Sequence, residues 1–242
     1  MTMSFSDATA ACRPEALDAL RGHLHLIDTT DGLVSCVTAV AMQEMPDADP
    51  AAVLTELDRL AEQVTDRLHT DSPQARLAHA HAVLFDELGF AGDTEHYDDP
   101  RNSYLPRVLD RKRGLPITLA LIYKAVLERV GMTVHGVNAP GHFMAAVVSG
   151  DPGQKHAEMI VDVFAGGRAL TDSQAIERIG EVLGRPAPHD RSLLAHATHA
   201  QWLLRIIQNL IAAFTRRDAR PQLAAMTGLR AATLKHLGAD PA

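Results

Sequence analysis

The strongest constraint on this chain is a change of hydrophobic period at Gly131. Residues 113–131 read RGLPITLALIYKAVLERVG. Pro116 suits the first turn of a helix, where a missing N–H costs nothing. Leu119, Ile122, Tyr123, Val126, Leu127 and Val130 then recur at spacings of three and four, an inward helical stripe. Gly131 ends it. Beyond Gly131 the period falls to two. Residues 132–137 (MTVHGV), 142–148 (HFMAAVV) and 158–164 (EMIVDVF) read as short strands, divided by the turn-rich NAPG and SGDPGQ. A buried helix followed by adjacent, antiparallel strands predicts an α+β domain.

The flanks are helical. Small and apolar residues fill 33–45 until MPDADP (45–50) stops the run. Asp49 is an N-cap candidate with Pro50 at the first helical position, and Val53, Leu54, Leu57, Leu60, Ala61, Val64 and Leu68 form the face of that helix. A third helix spans 73–88 and stops at Gly89. Residues 90–101 (FAGDTEHYDDPR) read as a loop, followed by a helix over 102–111. From Ser192 the chain returns to helix. One stripe carries Trp202, Ile206, Leu210 and Ala213, and a second carries Leu223, Met226, Leu229, Ala232 and Thr233. The expected organisation is a partly mobile segment 1–32, a helical region 33–100, a core 101–190 and a helical hairpin 191–242.

Composition narrows the function classes. With 23 basic against 30 acidic residues the formal charge is −7, which gives no support to nucleic-acid binding and disfavours anionic membranes. No apolar run approaches the roughly 18–20 residues of a membrane span, and no charged n-region precedes an apolar h-region. Two cysteines, Cys12 and Cys36, are too few for a disulfide framework. A reducing cytoplasm is the expected setting. Thirteen histidines invite a metal hypothesis. However, His23/His25 and His79/His81 are spaced i,i+2, which on a helix points the rings apart, and neither HExxH nor CxxC occurs. No metal site and no cofactor are expected, and no GxGxxG or P-loop string is present.

The chemistry concentrates in four strings: RNSYLPRVLDRKRGLPITLALIY (101–123), GVNAPGHF (136–143), VDVFAGG (161–167) and the upstream LFDELGF. Together they resemble the SirB-type family, a second transglutaminase-core group of the transglutaminase-like superfamily. The resemblance covers roughly residues 34–234, and the C-terminal hairpin looks like the start of a shortened tetratricopeptide-like tail. It implies a papain-type core: a Cys opens the buried helix, a His begins the next strand region, and an Asp lies on the following strand. In such a trio the imidazole draws the thiol proton and the carboxylate fixes its tautomer and orientation. The resemblance assigns those last two roles to His142 and Asp162. The cysteine slot falls at or near Pro116, beside Ile117 and Thr118, and no cysteine follows Cys36.

Each remaining candidate has two readings. Thr118 reads as a first-turn hydroxyl bonded to a local backbone group; the rival is a nucleophile activated by His142. Asn102 reads as an N-cap and Tyr104 as a core aromatic with a polar tip, or both as donors to a bound carbonyl. Arg111 and Arg113 could read an anion or, with Lys112, form a solvated face. Asn138 closes a turn or lines the cleft, and His135 is a half-buried strand residue. Cys36 is a small buried hydrophobe, and Cys12 falls in the mobile N-terminal segment. The leading expectation is a pseudoenzyme that binds an unidentified protein or peptide partner in a cleft around His142, Asp162 and Thr118. Asn102, Tyr104, Arg111, Pro116 and Asn138 would contribute to that cleft. The alternative is a hydrolase of amide or ester bonds using Thr118 or water.

Overall fold

The computed structural model describes residues 9–148 and 158–238. SGDPGQ, read above as a turn, lies outside these residues. The chain forms two compact units from interleaved segments: Met1–Thr55, Asp98–Asp110 and Thr198–Ala242 in the first, Glu56–Tyr97 and Arg111–Ala197 in the second.

The first unit is helical. Helix α1 (Pro14–His23) packs on α2 (Thr30–Ala41), and α2 in turn on α8 (His199–Arg216). Helices α8 and α9 (Arg220–His236) form the expected hairpin. Trp202, Ile206, Leu210, Met226 and Leu229 are buried, as the two stripes predict. Thr198 opens α8 with a reciprocal capping box to Gln201, which satisfies two otherwise orphaned donors. Cys12 corrects the reading of the N-terminus. It is buried, its Sγ lies 3.3 Å from the Ala225 carbonyl, and next to it Arg13 is anchored to Gln43 through both N–H and Nε. Helix α3 (Pro50–Thr65) runs from this unit into the second.

The second unit carries the sheet. Helix α4 (Pro73–His81) continues as a π-helical turn, Ala82–Glu87, where one uninterrupted helix is expected. The segment read as a loop contains strand β1 (Ala91–Gly92), which pairs in parallel with β2 (Arg113–Gly114). Between these strands a short 3-10 turn covers Pro100–Asn102, and α5 begins only at Leu105, ending at Arg111. Helix α6 (Pro116–Arg129) follows and is buried on every side from Pro116 to Leu127, so the expected stripe is one face of a wholly enclosed helix. Gly131, at φ +80°, turns the chain into the sheet.

That sheet has the order β6-β5-β4-β3-β7 and is antiparallel throughout. Its strands are β3 (Thr133–Val137), β4 (Met144–Val148), β5 (Glu158–Asp162), β6 (Arg168–Leu170) and β7 (His196–Ala197). Alternation sends successive side chains to opposite faces. Val134, Ala145, Val147 and Val161 share one buried face, and α6 packs on β3 and β4. Val137, Met144, Ala146 and Ile160 point the other way, under Ile176 and Ile179 of α7 (Asp172–Leu183). Sequence reading missed this second cover, although Thr171–Gln174 is a capping box and Gly184 ends the helix at φ +66°.

Candidate functional site

His142 and Asp162 meet. The Pro140–Gly141 turn ends with the His142 N–H donating to the Ala139 carbonyl at 3.3 Å, which delivers the imidazole into the interior immediately before β4. Asp162 is the last residue of β5, and the turn after it folds back: the N–H groups of Ala165 and Gly167 both donate to the Asp162 carbonyl. His142 Nε2 stands 3.0 Å from Asp162 Oδ1, with side chains only 3% and 2% exposed. The Phe164 ring meets the imidazole edge-on, at 6.2 Å between centroids.

The carboxylate is held from several directions. Ala165 N–H donates to Oδ1 at 3.3 Å, and Arg178, on α7, brings Nε to 3.3 Å from Oδ2. Burial by itself would raise the Asp162 carboxyl, but His142, Arg178 and the Ala165 N–H together outweigh it. The acid therefore titrates below the ordinary carboxylate range. Arg178 also pairs with Glu181 at 2.9 Å. A cavity of about 240 Å³ reaches Asp162 past Arg168, Gln174 and Arg178. A larger one, about 670 Å³, runs along α7 from Ser173 to His189 and touches neither member of the pair. Of these two, the smaller bears on this chemistry.

Thr118 departs from its expected role. Six other helical threonines, Thr38, Thr55, Thr65, Thr215, Thr227 and Thr233, donate their hydroxyls to the carbonyl four residues back. Four residues before Thr118 is Gly114, in strand β2, whose carbonyl already accepts the Asp93 N–H at 3.2 Å. The Thr118 hydroxyl is completely buried and hydrogen-bonds no described residue, His142 included. Such orphaned polar atoms are uncommon in native interiors.

The other candidates take different places. Asn102 is buried inside the 3-10 turn, which Asp99 caps in its stead. Tyr104 is 4% exposed, its hydroxyl meets no described partner, and burial drives its pKa far up. Both belong to the first unit. Arg111 does not stand on a solvated face: it pairs with buried Asp93 at 3.1 Å. Arg113 donates to the carbonyls of Gly89 and Lys112. Pro116 occupies the first turn of α6, and Asn138 is exposed just past β3. Both thiols are buried in the first unit. Burial pushes Cys36 up to about 12 and raises Cys12 as well, so neither is held as the reactive thiolate. Arg178 is the site residue that sequence reading missed, because it rides on the unread helix.

A buried His–Asp pair in a fold of helices and an antiparallel sheet defines a class that comparison makes specific. A family model described as the transglutaminase-like superfamily matches residues 51–208, and the chain belongs to that superfamily. A UPF0162 protein of Xylella fastidiosa is 35% identical over 195 residues, 79% of this chain and 68% of the relative. One from Pseudomonas aeruginosa is 29% identical over 171 residues, 71% of this chain and 60% of the relative. The chain thus spans about two thirds of the length of these relatives. F-box only protein 21 of Mus musculus is 32% identical over 102 residues, 41% of this chain but 16% of that protein. No solved structure matches.

Proposed function

We propose that the chain is a SirB-type transglutaminase-like pseudoenzyme with a tetratricopeptide-like helical hairpin, and that it binds a protein or peptide partner through the region around His142 and Asp162. The observation that carries this reading is a retained pair without a nucleophile in its grip. The imidazole and carboxylate meet at 3.0 Å, yet the candidate hydroxyl, Thr118, makes no hydrogen bond to the imidazole. A hydroxyl needs such a base to attack an amide. Both thiols, moreover, have raised pKa values. We place the protein in the cytoplasm. Among the described residues no helix is long and apolar enough to cross a membrane.

One observation favours the rival reading, an amide or ester hydrolase. The unpartnered Thr118 hydroxyl is a group that a substrate or water could engage. The two readings separate in one experiment. Purified full-length protein is assayed against panels of amide, ester and acyl-transfer substrates beside the His142→Ala and Thr118→Val variants, and the same proteins are tested on peptide arrays. Peptide binding that is lost in His142→Ala, with no turnover in any sample, supports the binding module. Turnover abolished by His142→Ala refutes it, and its further loss in Thr118→Val assigns the hydroxyl as nucleophile.

A further inference from the structure

Three potential ligands converge elsewhere on the sheet. His135 lies on β3, Glu158 on β5 and His196 on β7. The register Gly136↔Ala197 and Val137↔His196 puts His135 and His196 on one face, two positions apart. Their rings stack at 4.3 Å between centroids, 16° from parallel. His135 stands opposite Ala146 on β4, whose single methyl leaves room for Glu158 to reach over that strand. Glu158 Oε2 lies 3.2 Å from His196 Nε2. One ligand atom from each of the three residues falls within 4.8 Å of the other two.

We propose that His135, Glu158 and His196 form a binding site for one divalent cation of the zinc type. Two imidazoles and a carboxylate are a donor set that zinc accepts, with a fourth position left to water or a ligand. Three ligands at about 2.0–2.2 Å from one ion in tetrahedral geometry sit about 3.4 Å apart; the Glu158–His196 pair already stands at 3.2 Å. Closing the trio on an ion calls on rotation of the His196 and Glu158 side chains, which are 40% and 33% exposed. The site lies outside the His142–Asp162 pair, since Glu158 and Asp162 stand at opposite ends of β5. A bound ion would tie the two-residue edge strand β7 to β3 and β5.

The test is zinc binding by the full chain after chelator treatment, followed by calorimetry with zinc chloride at neutral pH and by the visible spectrum of the cobalt-loaded protein. The wild type is expected to bind one equivalent and to melt at a higher temperature with zinc than with chelator. Loss of a partner behind a metal-bound histidine costs about 10–100-fold, so His135→Ala and His196→Ala, each removing a ligand, should weaken binding at least about tenfold. Glu158→Gln keeps the side-chain shape and guards against misfolding as the cause. His25→Ala and His236→Ala, at exposed sites elsewhere, should bind like the wild type. Absence of any stoichiometric binding overturns the proposal, as does binding that survives all three ligand substitutions or is lost equally in the controls.

Discussion

Strand β5 carries a carboxylate at each end, and each meets an imidazole at nearly the same distance: Asp162 with His142 at 3.0 Å, Glu158 with His196 at 3.2 Å. Burial makes them chemically different. Asp162 is closed in by His142, Arg178 and the Ala165 N–H. Its charge is stabilised by these neighbours. Glu158 is a third exposed, so water remains an alternative partner and an incoming cation can displace it. The same pairing is an organised interior at one end and an open donor set at the other. Distance alone does not distinguish a site that holds a side chain in place from one able to take a ligand.

The largest expected effect comes from breaking the buried end. Asp162→Ala leaves His142 and Arg178 facing a vacated carboxylate site and should cost about 3 kcal/mol in urea denaturation, in line with the loss of one partner from a buried pair. The same end should set the acid limb of stability. In the folded protein the Asp162 carboxyl titrates below its reference value of 3.8. Its contribution is therefore complete above that value and disappears as pH falls below it, through the folded pKa. Asp162→Asn should flatten this limb in melting temperature measured from pH 5 to pH 2.5. An unchanged slope would mean that the pair carries no pH-linked stability.

The turn that shapes this end ranks next. Gly167 adopts φ +78°, and a Cβ there would lie 2.2 Å from the Phe85 ring of the π turn. Its N–H also donates to the Asp162 carbonyl at 3.1 Å. Gly167→Ala combines a left-handed backbone with a clash and should destabilise by about 2 kcal/mol. Circular dichroism at increasing urea measures it. Gly166, at φ +71° with nothing within 4 Å of its added Cβ, meets only the backbone penalty, and its alanine variant should lose about half as much.

The contrast also explains what could be read from sequence. The helix before Gly131 and the three strands after it were legible because long apolar periods are local signals. His142 and Asp162 were legible through a resemblance carried by PGHF and VDVF, and the structure brings them together. Strand β6 has three residues and β7 two, too short for alternation to register. Helix α7 buries only Ala175, Ile176, Ile179 and Gly180, a narrow stripe that the search for long apolar runs passed over, and Arg178 was lost with it. Thr118 was misread because the rule that a helical threonine bonds four residues back fails where that position belongs to another element. His135, Glu158 and His196 share no motif at all. Their strands are joined by pairing, and His196 stands 38 residues from Glu158 in the chain, so no local spacing could reveal them.

The smallest effect is the sharpest test of the comparison. In chelator, Glu158→Gln removes only a partly exposed ion pair, and such pairs contribute about 0.5 kcal/mol or less. Its urea midpoint should therefore match the wild type closely. With saturating zinc the two proteins should separate, because the wild type gains stability from a ligand that the variant holds poorly. The Asp162 variants should behave the other way round, low in stability with or without zinc yet still able to bind it at the far end of β5. If Glu158→Gln proves as destabilising as Asp162→Ala in chelator, the exposed end is a structural pair like the buried one. Its readiness for a cation would then be lost with the distinction.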